Sequence, residues 1–365
     1  MAKTRSRLSA SDSIGVWLKD PVGGALLREM LASGGRDAST LRPIRMLALQ
    51  RLVGLSGGTV SPEVIDDLVA RANAAPIDDA IAASTEPVDL EVDAPERPPR
   101  DVIVVIGIGG MGEAIARRQG GGGRLLLADF SEPALDRVAT ALRGEGFDVM
   151  TRKVDVSVRE SVAELAQTAA AAGPVRQVIL TAGLSPAQAP APAILAVDLL
   201  GVAIALDEFA AVISPGGAGI VIASMAAYGA NLSRDDEHLL ARTPATELDE
   251  LPVVRAVDSP AAAYSLAKRV NQLRVQGASV SWGLRGARIN SISPGVISTA
   301  MGQQELDGEH GEIIAAMVDG SGAGRIGTAT DIADAAAFLL GPTASFVTGI
   351  DLLVDGGVIA WQQAE

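Results

Sequence analysis

From residue 102 onward, short apolar runs alternate with stretches of helical period. VIVVI (102–106) precedes GEAIARRQ, RLLLADF precedes PALDRVATALR, VMTRKVDV precedes SVRESVAELAQTAAAA, and QVILTAG follows. Runs of four to six apolar residues are too short for buried helices, and their continuous apolarity means that both faces are covered. Strands of this kind separated by helix-length crossovers pair in parallel. The expected fold is therefore α/β, a doubly wound parallel sheet of about seven strands with helices on both faces.

Forty glycines and 3% aromatic residues in a chain of 365 suit tight strand-to-helix turns, and suit neither a coiled coil nor a base-stacking surface. The formal charge of −14 repels phosphate backbones and anionic lipid alike, so neither nucleic acid nor a membrane is expected as a partner. The chain has no cysteine, and its two histidines, His238 and His310, lie far apart in sequence. No metal site is expected, and a Ser-His-Asp mechanism fits poorly. The basic N-terminus MAKTRSRLSASD lacks the apolar stretch of a secretory signal, and no apolar run approaches the length of a membrane span. A cytoplasmic protein is expected.

Through residue 60 basic residues outnumber acidic ones nine to four, so the excess negative charge lies downstream. The segment SDSIGVWLKDPVGGALLREMLASGG has an apolar face, and SPEVIDDLVARANA opens with Ser61 and Pro62, a helix-start signal. Residues 1–75 are thus expected to form a small helical module, a packing or dimerisation appendage. Residues 76–100, PIDDAIAASTEPVDLEVDAPERPPR, combine prolines and acids without amphipathic pattern, as a solvated linker does. The α/β domain is expected over 101–365.

The first strand runs directly into Gly107-Ile108-Gly109-Gly110-Met111-Gly112, which opens a helix. One glycine makes the tight turn, a second lets backbone N–H groups approach a pyrophosphate, and a third allows close helix packing. The next strand closes with Asp129, 17 residues beyond Gly112. A carboxylate there takes the ribose hydroxyls of NAD and repels the additional phosphate of NADP, so NAD is the expected cofactor. The bland alternative is that Asp129 only begins a turn before Ser131. Asp155, after the third strand, reads equally as an adenine contact or a strand terminator.

Two further pieces follow in order. Ser224 ends the strand GIVIAS, at the carboxyl edge where such sheets bind ligands, and Tyr264 and Lys268 share one helix face in SPAAAYSLAKRVNQLRVQGAS. With the glycine loop, these residues resemble the short-chain dehydrogenase/reductase family over about residues 101 to 360. Thr181-Ala182-Gly183, Asn290-Ser291-Ile292-Ser293-Pro294-Gly295 and FVTGIDLLVDGG (346–357) are similar to further family marks. The resemblance implies a Rossmann sheet and hydride transfer between a nicotinamide and a carbinol carbon, interconverting a secondary alcohol and a ketone. A lysine ammonium and a cationic nicotinamide favour the phenolate of a tyrosine, making Tyr264 the proton donor or acceptor. Ser224 is then expected to bond the substrate oxygen and, by the resemblance, Lys268 the nicotinamide ribose. The same likeness implies cofactor contacts at Ala182, Gly183, Pro294, Gly295, Val296 and Thr299, and a homo-oligomer, dimer or tetramer.

The chain departs from the family pattern in three places. Gly107 and Gly110 are separated by two residues where the family has three. The family's fourth catalytic residue, an asparagine acting largely through its backbone carbonyl, is matched by Asp198. Ser224 and Tyr264 lie 40 residues apart, so 229–258 read as an acidic, partly helical insertion. A similar insertion marks the bacterial 3α-hydroxysteroid dehydrogenase/carbonyl reductase branch. Residues 300–324 are expected to form a mobile substrate loop hinged at Gly320, Gly322 and Gly324, with His310 a surface residue. The alternative to an enzyme is a catalytically inactive nicotinamide-binding regulatory or scaffold protein, favoured by the shortened loop, Asp198 and the N-terminal module.

Overall fold

The computed structural model describes residues 7–56, 59–74, 100–308 and 311–364. The chain divides into two compact units, Met1–Glu96 and Arg97–Glu365. The expected linker, 76–100, lies outside the described residues except for Arg100, as does His310.

In the first unit, α1 (Ile14–Lys19), α2 (Pro21–Ser33), α3 (Leu52–Leu55) and α4 (Pro62–Ala74) surround a core built on Ile14, Trp17, Leu27, Leu49 and Leu68. The apolar face of residues 11–35 is carried by two helices rather than one. Pro21 cannot donate to a continuing helix, and the Asp20 carboxylate accepts from the N–H groups of Val22 and Gly23, starting a new one. The Trp17 indole, fully buried, donates to Ser9 O at 2.9 Å.

In the second unit, β1 (Val102–Ile106), β2 (Arg124–Asp129), β3 (Asp148–Lys153), β4 (Val175–Leu180), β5 (Ile213–Ile222), β6 (Arg288–Pro294) and β9 (Asp351–Val354) form a parallel sheet ordered β3-β2-β1-β4-β5-β6-β9. Two-residue strands β7 (Ile297–Ser298) and β8 (Gly327–Thr328) pair separately. Every residue of β1 is buried, which accounts for its unbroken apolarity. One face carries α5 (Gly110–Gln119) and α6 (Glu132–Gly144), contributing Ile115, Leu135 and Val138. The other carries α7 (Arg159–Ala172), with Val162 and Leu165.

On that second face, α8 (Ala191–Ile194) passes through a π-helical stretch, Leu195–Gly201, into α9 (Val202–Val212). The insertion is helical in part, with α10 (Arg234–Arg242) and α11 (Pro252–Arg255) separated by a 3₁₀ turn. It is fastened to α12 (Pro260–Leu284), where Arg269 pairs with Glu237 at 2.6 Å and Arg274 donates to Leu240 O and Thr243 O at 3.2 and 2.8 Å. The segment expected as a mobile loop carries α13 (Ala300–Leu306) and α14 (Gly311–Gly320), before α15 (Ala329–Leu340) and α16 (Val358–Ala364). Among the described residues no helix is long and apolar enough to cross a membrane.

Trp282, fully buried on α12, packs against Gly219 of β5, where an added Cβ would lie 2.7 Å from its ring, and donates to Leu206 O at 3.3 Å. Trp282→Ala leaves a cavity behind the sheet, and denaturant unfolding should show a loss of about 3–5 kcal/mol. A loss well under 1 kcal/mol would mean that this face of the sheet is not tightly packed.

Candidate active site

The sheet order reverses between β1 and β4, so the connections leaving their carboxyl ends diverge and open a crevice. Gly107 leaves β1 with φ +90°, and a Cβ on it would stand 2.4 Å from Ala182 N. A Cβ on Gly112 would stand 2.0 Å from Gly107 O. Side chains at either place would drive the turn apart. Thr181 locks it from β4, its hydroxyl donating to Gly107 O and, at 3.2 Å, to Ile106 O.

The crevice is a cavity of about 650 Å³. Ten of the residues singled out from the sequence line it: Gly107, Gly109, Gly110, Met111, Gly112, Asp129, Asp155, Ala182, Gly183 and Thr299. Pro294, Gly295 and Val296 do not. Pro294 ends β6, Gly295 N donates to Val354 O, and Val296 O accepts from Gly327 N. Sequence reasoning missed Phe130, Ser157 and Gln188 in the wall, and gave no contact to Thr181 of its family mark or to Met301 of the expected substrate loop. Phe130 and Ser157 stand one or two positions from a flagged residue, which is the only signal they had. Gln188 reaches across to Gln304 of α13 at 3.1 Å.

Asp129 fulfils its bland reading while still lining the cavity. Its Oδ1 accepts from Ser131 N at 2.8 Å and its Oδ2 from Ile108 N at 2.9 Å, so the carboxylate cross-braces the shortened glycine turn. Each oxygen retains acceptor capacity. Asp155 likewise caps its own turn, accepting from Ser157 N at 3.0 Å and Ser157 Oγ at 2.6 Å.

A second cluster lies behind Gly183. The α12 helix starts from Ser259, whose hydroxyl accepts from Ala262 N, and Pro260 occupies its first turn. One turn in, Tyr264 and Lys268 share a face, with the ammonium 5.3 Å from the ring centroid. Lys268, 4% exposed, donates to Ile222 O at 3.3 Å and pairs with Asp198 Oδ2 at 3.0 Å. Asp198 is fully buried on the π-helical stretch, where the wider turn re-aims its side chain, and its Oδ1 accepts from Leu184 N at 2.8 Å. Ser224 lies just past β5, with its hydroxyl accepting from Ala226 N at 3.1 Å and close enough to the Tyr264 phenol to lower its pKa. A Cβ on Gly183 would sit 2.8 Å from Asp198 Oδ2 and 3.1 Å from Lys268 Nζ, so only glycine lets the cavity wall touch this pair.

The buried groups of this cluster act on one another in opposite directions. Burial pushes the Tyr264 phenol above its ordinary value, Lys268 and the Ser224 hydroxyl pull it down, and Asp198 and Glu305 push it up, leaving it raised. Burial also raises Asp198, against the pull of Lys268. For Lys268 burial acts downward, but Asp198 and Tyr264 outweigh it, and the ammonium is held charged. The sequence reading counted Lys268 and left out the carboxylate beside it.

The glycine turn yields a test of the cavity. Gly112→Ala displaces Gly107 O, and titration with NADH should show binding weakened at least about tenfold, a loss of about 1.4 kcal/mol. Unchanged binding by a folded variant would place the dinucleotide elsewhere.

The family model described as Enoyl-(Acyl carrier protein) reductase matches residues 251–359, which include Tyr264 and Lys268. The chain is 42% identical over 267 residues to the short-chain dehydrogenase/reductase bsc3 of Alternaria brassicicola, covering 72% of this chain and 97% of that one. It is 32% identical over 192 residues to 3-alpha-hydroxysteroid dehydrogenase/carbonyl reductase of Comamonas testosteroni, covering 50% of this chain and 72% of that protein. Among solved structures, a short-chain dehydrogenase/reductase from Serratia marcescens shares the fold with a TM-score of 0.56 and 24% identity, over 72% of this chain and 98% of that chain. A match at 42% identity over 72% of this chain, together with the seven-stranded sheet, settles the assignment: the chain belongs to the short-chain dehydrogenase/reductase family and is an oxidoreductase of alcohols and ketones.

Proposed function

We propose that this enzyme interconverts a secondary alcohol and a ketone with NAD(H) in preference to NADP(H), using Tyr264 as the proton donor and acceptor. The observation that carries the reading is the meeting of Ser224, Tyr264 and Lys268 behind Gly183, itself part of the cavity wall.

The residues present fit a nicotinamide dinucleotide. The turn at Gly107 and Gly112 leaves no room for a Cβ, and the start of α5 presents unpaired backbone N–H groups to an anion such as a pyrophosphate. Asp129 would take the adenosine ribose hydroxyls, Lys268 the nicotinamide ribose, and Thr299 the carboxamide. When bound, the cofactor supplies or accepts the hydride exchanged with the carbinol carbon.

The protein's own part is the proton and the oxygen. In reduction, the hydroxyls of Ser224 and Tyr264 bond the substrate oxygen as negative charge develops there, and the Tyr264 proton moves onto it. Lys268 steadies the phenolate left behind, which regains a proton from water. Oxidation runs the same transfers in reverse, with Tyr264 required as phenolate. The substrate is a small-molecule alcohol or ketone, and the active form is a homo-oligomer, dimer or tetramer.

Fluorescence titration should show NADPH binding at least about tenfold more weakly than NADH, about 1.4 kcal/mol, and Asp129→Ser should close most of that gap. Equal affinities in the parent protein would remove Asp129 as the discriminating residue. Tyr264→Phe should lower ketone turnover at least about 100-fold while leaving NADH affinity unchanged. Full turnover by this variant would return the tyrosine to a structural role.

A further inference from the structure

Two acids, Asp198 and Glu305, and one base, Lys268, act on Tyr264, and only one of the acids touches the base. In a buried site an ammonium next to a phenol stabilises the phenolate only with the charge left over from its other partners. The Lys268 ammonium is shared between Asp198 Oδ2 at 3.0 Å and Ile222 O at 3.3 Å. The same ammonium lies over the Tyr264 ring, 5.3 Å from its centroid, so the carboxylate and the ring compete for one charge. Asp198 is itself fixed by Leu184 N and by the π-helical turn that carries it, and the Gly183 backbone closes over both groups.

We propose that Asp198 is a positioning residue whose carboxylate clamps and neutralises Lys268, keeping Tyr264 a proton-carrying acid at neutral pH and so poising the site for ketone reduction. This differs from a role for residue 198 through its backbone carbonyl, and it rests on the proposed role of Tyr264. The step concerned is the proton transfer: the Tyr264 O–H bond breaks, the proton bonds to the substrate oxygen, and the phenolate is reprotonated from water. In the reverse direction Tyr264 must first lose its proton.

The sign follows from the groups that face the phenol. From its own helix, Lys268 favours the phenolate, and past β5 the Ser224 hydroxyl acts in the same direction. From the π-helical stretch Asp198 opposes it, as does Glu305 from α13. A raised tyrosine stays protonated through neutral pH, so reduction proceeds there, and alcohol oxidation rises only as pH climbs toward the raised value. Removing the Asp198 charge while keeping Lys268 releases the ammonium to act on the ring. The acid limb of the oxidation profile then moves to lower pH.

The chain contains two tyrosines, Tyr228 and Tyr264, so tyrosine labelled at 13Cζ in the full-length protein yields two resonances. Tyr228→Phe identifies the remaining one as Tyr264, a needed control because burial and the bond to Asp351 push Tyr228 up to about 12. In the parent protein the Tyr264 resonance should titrate above the ordinary value of about 10. Asp198→Asn should lower it by about one pH unit or more, and the oxidation limb should follow, giving roughly tenfold more active phenolate at a fixed pH on that limb.

Titration of Tyr264 at or below about 10 in the parent protein would overturn the proposal without any variant. A folded Asp198→Asn whose Tyr264 titrates unchanged or higher would overturn it as well. If Asp198→Asn does not fold, Asp198→Ser is read in its place. Should Tyr264→Phe retain turnover, the proposed role of Tyr264 falls, which these titrations alone do not measure.

Discussion

Because β1 lies between β2 and β4 with all five residues buried, helices must cover both sides, and the chain must leave its carboxyl end by a turn without side-chain volume. The turn cannot widen, since Ala182 at the end of β4 stands against Gly107, and it cannot rise, since Gly112 stands on Gly107 O. Thr181 and Asp129 brace it from the two neighbouring strands. Backbone contact across three adjacent strand ends thus shapes the cavity, and the N-terminus of α5 faces it as a consequence.

The same crowding governs the charged groups. Gly183 is at once cavity wall and lid over the Asp198 and Lys268 pair. A buried ammonium without an acid beside it carries a large desolvation penalty, and so does a buried carboxylate without a base. The two are held together by a π-helical turn on one element and a 25-residue helix on another. Tyr264 lies next to this pair, and its acidity answers first to burial, then to Lys268 pulling its pKa down and Asp198 pushing it up. The insertion fastens onto α12 through Arg269 and Arg274, both ending on α10 or the residue just past it.

The route from residues to site was uneven in what it disclosed. VIVVI, the glycine turn, and Tyr264 with Lys268 were legible because each is local: an unbroken apolar run, absence of a side chain, one helical turn of spacing. Asp198 was legible as a position but not as a charge on Lys268, because the two are 70 residues apart and meet only when α8 through α9 crosses α12. Thr181 and Gln188 escaped for the same reason, since their partners, Gly107 and Gln304, lie on distant segments. The helix boundary at Asp20 rests on a local capping residue followed by Pro21, a signal that the apolar face of the segment does not carry.

What the sequence by itself determined is the class of fold, the place of the glycine turn and the tyrosine-lysine pair, since apolar runs, glycine and helical spacing act within a few residues of one another. Only the tertiary structure decided the protonation balance of the site and the bracing of its turn. Those depend on which groups of distant elements lie within about 3 Å, a distance at which a buried charge is either neutralised or left free to act.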